Sequence, residues 1–270
     1  LMKKMFINII NKIFIYILVI ICAPLFSDSF QYNNYNNHGV VGLINMPTAR
    51  LFNEGVFGLT IYDGTPEQKI TVTASPYDWL ESSFFYTNIQ NKKYCVDQNV
   101  SICRQDFKDK GFNLKLRLKE EGVFPAIAIG INDLAGTGFF SSEYIVGSYG
   151  IDNLDLHFGL GWGSLNTSDL SFRNPLSFIN DTFDDRPTDF VSRGGQFQPE
   201  RYFSGKEASP FFGASYAFNK NLLFKVEYDT TDTDGAIEYD IPSSRASLGL
   251  EYTFNKNFTV GLARERNNYF

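Results

Sequence analysis

The chain is poor in sulfur and in imidazole, with three Cys, three Met and two His among 270 residues. Two histidines exclude a multi-His metal centre, and they allow a Ser-His-acid site only through His38 or His157. Basic residues are also scarce. Lys and Arg number 24 against 30 Asp and Glu, and a net charge of −6 excludes the basic face that nucleic-acid binding requires. Aromatics are abundant instead: 27 Phe and 15 Tyr, with 22 Gly, suit extended sheet rather than a helical bundle.

The N-terminus reads as an export signal. Lys3 and Lys4 precede the apolar run "IFIYILVIICAPLF" (13–26), and "SDS" (27–29) supplies small residues for cleavage, expected after Ser29. An uncleaved membrane anchor is the alternative, since the apolar run extends back towards Met5 with only Asn8, Asn11 and Lys12 in the way. Lipidation would need Cys22 as the modified residue, and Ile21 before it is a poor fit. Loss of residues 1–29 removes three lysines and one aspartate, taking the net charge from −6 to −8. The expected organisation is a signal peptide (1–29), a periplasmic lead-in (30–54) and a barrel domain (55–270). After cleavage only Cys95 and Cys103 remain. An even pair around a polar segment in an exported protein predicts a loop-closing disulfide, and the absence of CxxC spacing or nearby His argues against a metal or redox pair.

Period-2 alternation organises the rest. In "NLDLHFGLGWGSL" (153–165) Leu154, Leu156, Phe158, Leu160 and Trp162 share one face, and Asp155 and His157 share the other. Similar patterns set Lys115, Arg117 and Lys119 opposite leucines, Lys225, Glu227 and Asp229 opposite Phe224, Val226 and Tyr228, and Glu251 opposite Leu250 and Tyr252. Strands are expected near 55–62, 68–75, 80–88, 111–119, 123–132, 139–149, 153–165, 208–218, 222–230, 244–254 and 257–266. Many span about ten residues, as a tilted bilayer-crossing strand does. Short connections alternate with long ones without exception, the asymmetry of an outer-membrane barrel. The fold expected is all-β: an antiparallel transmembrane β-barrel of roughly 10–12 strands. The repeated "FNKN" (218–221 and 254–257) predicts turns in which Asn takes positive φ. Trp162, Tyr144, Tyr149 and Tyr252 are expected at interfacial girdle positions.

Several segments together resemble the YjbH/GfcD-type family of exopolysaccharide and capsule biosynthesis outer-membrane proteins. They are "GLINMPTARLFNEG" (42–55), "YDWLESSFFYT" (77–87), "DKGFNLKLRLKEEG" (109–122), "FPAIAIGINDLAGTGFFSSEYIVGSY" (124–149), "LDLHFGLGWGSL" (154–165), "KVEYD" (225–229) and "LGLEYTFNKNFTVGLAR" (248–264). The resemblance implies a β-barrel whose genes accompany surface-polysaccharide secretion, with no known catalytic residue and usually a longer chain. It marks the turn at Pro47, Thr48 and Arg50.

The site expected is therefore a polar lumen rather than a catalytic centre. Lys115, Arg117, Lys119, Asp155, His157, Lys225, Glu227, Asp229 and Glu251 should line it, filling the barrel or bordering a path for a hydrated polymer. Asp155 with His157 could form an acid–base pair, but no nucleophile motif accompanies them. Asp181, Asp184, Asp185 and Asp189 lack EF-hand spacing and read as a solvated loop. Pro47 forbids helix through Asn45 and Met46, so Leu43, Ile44 and Met46 should fold against the barrel end and leave Arg50 facing carboxylates of the inner rim. No cofactor is expected. The expected partners are outer-membrane lipid, polysaccharide and other polysaccharide-export proteins, and not nucleic acid.

Overall fold

The computed structural model describes residues 33–65, 67–94, 105–166, 169–187, 197, 199–231 and 244–266. The signal segment, Cys95, Cys103, Asp189 and the segment 236–240 lie outside these residues.

The eleven expected strands all form. They are β1 (Val56–Asp63), β2 (Glu67–Tyr77), β3 (Leu80–Tyr94), β4 (Gln105–Lys119), β5 (Ala126–Leu134), β6 (Ser142–Ile151), β7 (Leu154–Gly163), β9 (Glu207–Ala217), β10 (Leu222–Tyr228), β11 (Ala246–Asn255) and β12 (Phe258–Arg264). A two-residue strand, β8 (Phe172–Arg173), pairs with the start of β9. Every neighbouring pair is antiparallel, and the order follows the chain from β1 to β12 with β8 set aside. One end of the strands, the lower rim, carries the turns after β2, β4, β6, β9 and β11. The upper rim carries the connections after β1, β3, β5, β7 and β10, including three short 3-10 turns between β7 and β9.

Several expectations need correction. Among the described residues the sheet is not closed: β1 and β12 are its edges, with no ladder between them. Short and long connections do not alternate strictly, because residues 64–66 on the upper rim are fewer than residues 120–125 on the lower. β3 and β4 reach to Tyr94 and back to Gln105, well past the expected limits, because their register continues through Ile89–Phe107. The "FNKN" turns do not use positive φ at Asn. Asn219 Oδ1 instead accepts from the Asn221 and Leu222 amides, and Asn255 Oδ1 accepts from the Asn257 amide.

Burial is inverted relative to a water-soluble sheet. On β1, Phe57, Leu59 and Ile61 are 71, 63 and 72% exposed, whereas Lys115 and Glu81 on neighbouring walls are fully buried. Alternation dictates this, because successive side chains point to opposite faces and the polar set is the one turned inward. The interior is filled by residues 33–51, which run inside the sheet's curve rather than against its end. Leu43, Met46 and Ala49 pack there with Ala126, Ala128, Tyr144, Val146, Leu165 and Phe211. Tyr144 is thus an interior residue and not a girdle one. Trp162 is also covered: its Nε1 donates to Asn174 Oδ1 at 2.9 Å and its ring meets Phe203 edge-on, both in the β7–β9 connection. Some wall glycines are cut to fit the inner loop. A Cβ on Gly213 would lie 2.4 Å from Leu43 Cδ1 and 2.5 Å from the Val226 carbonyl oxygen.

Candidate functional site

The inward polar residues of the walls converge on the main chain of the inner loop. Extended and turning backbone inside a sheet has no ladder of its own, so each buried amide and carbonyl needs a partner from elsewhere. Strand β10 supplies one set. Glu227 accepts from the amides of Ile44 (2.9 Å), Asn45 (2.9 Å) and Met46 (3.1 Å), while Lys225 Nζ donates to the carbonyls of Gly42 (3.0 Å) and Leu43 (2.9 Å). Lys225 also pairs with Glu251 at 2.5 Å, and Glu251 accepts from Asn34. Opposite it, Lys115 Nζ donates to the carbonyls of Val41 and Arg50, each at 2.8 Å, and pairs with Glu81 at 2.9 Å. Glu81 in turn accepts from the Val41 amide at 2.9 Å. Each buried charge thus meets an opposite charge, main-chain dipoles, or both, which offsets the cost of removing it from water.

Charges also fix the upper and lower ends of the loop. Near the upper rim Asn45 Nδ2 donates to Asp229 (2.9 Å) and Glu265 (2.8 Å), and Glu265 also accepts from Asn37 and from the Tyr62 hydroxyl. His38 Nδ1 lies 3.0 Å from Lys69 Nζ. Burial, then Lys69 and Arg266, hold the His38 imidazole well below its ordinary pKa, so it stays neutral. Near the lower rim Arg50 forms two bonds to Asp155, at 2.7 and 2.8 Å, and a third to Glu121. Burial alone would lower the Arg50 pKa. The hydrogen bond and charge of Asp155, with those of Glu121, outweigh it and leave the guanidinium's pKa raised.

The residues to which the sequence points divide by depth. Lys115, His157, Lys225, Glu227 and Asp229 are buried, and Glu251 joins them through Lys225 and Asn34. Arg117 is part-exposed beside Glu120, and Lys119 lies exposed over the Phe124 ring at the lower rim. Thr48 hydrogen-bonds the Val41 carbonyl through its hydroxyl at 3.3 Å, and Pro47 bridges back to Gly42, which closes the turn that these residues mark. Glu81, Glu121, Ser148 and Glu265 belong to the site without having been expected there. Glu81 stands two residues before Ser83 on the polar face of β3, and extending that alternation finds it. Glu265 follows the last alternating residue, where the pattern gives no signal.

Ser148, His157 and Asp155 come together in an order that invites a catalytic reading. Ser148 Oγ lies 2.8 Å from His157 Nδ1, and His157 Nε2 lies 3.8 Å from Asp155. Yet Ser148 Oγ accepts the Ala49 amide at 2.8 Å, and both Ser148 and His157 are buried under the loop. Asp155 is engaged by Arg50. The three serve to seat residues 49–50. Among the described residues no group of three or more His, Cys, Asp or Glu is placed to hold a metal ion. The acidic run keeps Asp181 and Asp184 in a 3-10 turn, with Asp184 paired to Arg173 at 3.2 Å.

Known proteins give this clamp a context. The chain is 34% identical over 241 residues to the "Uncharacterized lipoprotein YjbH" of Escherichia coli (strain K12), a match covering 87% of this chain and 34% of that relative. The chain therefore spans about a third of the length of the curated relative it matches. No solved structure matches it. The sequence profile described as "YjbH: Exopolysaccharide biosynthesis protein YbjH" matches residues 34–270, all of the inner loop but its first residue and all twelve strands, and the chain belongs to that exopolysaccharide biosynthesis family.

Proposed function

We propose that this chain is an outer-membrane β-barrel segment that takes part in the export or assembly of an extracellular polysaccharide without catalysing a reaction. The inverted burial carries the reading. A sheet that presents Phe57, Leu59, Ile61, Leu250 and Leu262 outward, and turns Lys115, Glu81, Lys225 and Glu227 inward, matches a hydrocarbon exterior and a polar interior. The exposed rings near the lower rim support it: Tyr77 stacks on Trp79 with centroids 5.4 Å apart, and Tyr252, Phe254 and Phe258 form a second group. Membership of an exopolysaccharide biosynthesis family supports the polymer as cargo, and the relative's description as a lipoprotein supports an exported, membrane-associated chain. On this reading the lower rim faces the periplasm and residues 1–29 are the export signal.

A general diffusion porin is the competing reading. The clamped loop speaks against it, because residues 33–51 occupy the space a diffusing solute would need. Deleting the gene and measuring cell-bound and released polysaccharide tests the proposal. A fall in polymer amount or chain length is expected, and unchanged polymer with reduced uptake of small solutes would favour the porin.

A further inference from the structure

The inner loop has a topology that the clamp does not require. Its two ends meet at the lower rim, where Asn33 Nδ2 donates to the Leu51 carbonyl at 2.7 Å and the Tyr35 ring lies 4.8 Å from that of Phe52. Between those ends the chain rises to His38 beside Lys69, descends to Val41 beside Glu81, rises again to Asn45 beside Asp229 and returns to Arg50 beside Glu121. Residues 33 and 51 lie at one mouth, so the described loop enters and leaves by the same end. Four charged wall side chains, Glu227, Lys225, Lys115 and Glu81, hold it through its main-chain amides and carbonyls.

Polar side chains that bind amides and carbonyls also suit the hydroxyl, ring-oxygen and amide groups of a hydrated saccharide chain. We propose that residues 33–51 are a gate, withdrawn as a unit through the lower mouth, and that the vacated Lys115, Glu81, Lys225 and Glu227 then line the path of a saccharide chain. The inference rests on the export reading above. In the closed state the loop's main chain hydrogen-bonds all four groups, and the wall pairs Lys115–Glu81 and Lys225–Glu251 balance their charge further. In the open state water and the polymer's polar groups replace it. Arg50, bound to Asp155 and Glu121 at the mouth, is the latch that any withdrawal must break first.

A reversible crosslink tests this. Ala49 and Ser148 are close enough, with the Ala49 amide 2.8 Å from Ser148 Oγ, for A49C/S148C to form a disulfide in a background where Cys95 and Cys103 are serine. The crosslinked cells should lose polysaccharide output and regain it on mild reduction, while either single cysteine leaves output unaffected by reductant. In planar bilayers the purified full chain should be silent. K225M and a variant lacking residues 34–50 should open a current, and the oxidised A49C/S148C protein should stay silent. Normal output from the crosslinked protein, in a strain whose gene deletion does lower polymer, would overturn the gate and leave the export reading intact. Unchanged polymer on gene deletion would instead remove the export reading itself. A membrane-inserted protein lacking residues 34–50 that carries no current would also overturn the gate.

Discussion

The middle of the sheet and its two edges treat main-chain polarity in opposite ways. Around β4 and β10, buried side chains satisfy a foreign segment of backbone, so that Glu227 alone takes up three consecutive amides. At the seam between β1 and β12, no ladder runs between the edges among the described residues, and a side-chain bond from Tyr62 to Glu265 reaches across. Both edge strands run from the lower to the upper rim, because eleven strands in a simple up-and-down path make the first and last point the same way. The difference teaches where the fold invests its specificity. The loop is held from many strands at once, whereas no ladder joins the two edges among the described residues, and in a bilayer an edge without a ladder demands other partners for its main chain.

Substitutions can break or sharpen this contrast. The largest effect is expected for Glu227→Ala, which strands three consecutive buried amides; a loss of about 3–5 kcal/mol in denaturant unfolding from detergent would match the cost of leaving buried polar groups unpaired, at about 1–3 kcal/mol each. Lys115→Met should follow closely, since it leaves Glu81 buried without its cation and takes a donor from the carbonyls of Val41 and Arg50, of which Val41 keeps only the Thr48 hydroxyl and amide, and thermal unfolding in detergent would read it. Arg50→Ala is expected to cost about 1–3 kcal/mol, as a charge-assisted group at the mouth, and to impair assembly or export. Normal heat-modifiable migration and normal polymer output would contradict that expectation. Tyr62→Phe, at the seam, should cost no more than about 1 kcal/mol. A larger loss there would mean that the seam, and not the clamp, governs stability.

Acidity probes the same contrast through His38. Its pKa in the folded chain is depressed below the ordinary 6.5, so the unfolded chain takes up a proton that the folded chain refuses. The contribution of neutral His38 is therefore intact above pH 6.5 and is lost as pH falls below it, by up to about 1.4 kcal/mol per pH unit. Comparing unfolding of the native chain with H38N between pH 7.5 and 5 should give a difference that grows only at the acid end. A constant difference would remove His38 from the upper attachment of the loop.

Much of the wall is legible in the sequence. Alternation locates all eleven long strands and turns Lys115, Lys225 and Glu227 inward, because a one-residue phase error would put each of them in the outward row with Leu114, Phe224 and Val226. Lys119 and Arg117 share that phase yet fall outside the clamp, since phase says which face a residue takes and not how deep it sits. The loop's path is not legible. "VVGLINMPTAR" signals a Pro-fixed turn, but its partners Glu227 and Lys225 stand far away in sequence and bind its main chain, which has no residue-specific signature. Closure escapes for a related reason: an odd strand count is visible, while the state of the seam depends on twist accumulated over the whole sheet.

Because the clamp grips main chain, the loop's tolerance to mutation should follow backbone shape more than side-chain chemistry. Gly39, with φ of +74° and space for a Cβ already taken by the Thr71 side chain, has no substitute that keeps the first descent of the chain. His38 beside it, a chemically richer residue, ought to accept a neutral replacement of similar size. In related chains the glycines and the proline of this segment should therefore drift less than its polar residues other than Arg50 and Asn45, which inverts the usual expectation that conserved chemistry marks the working part of a protein.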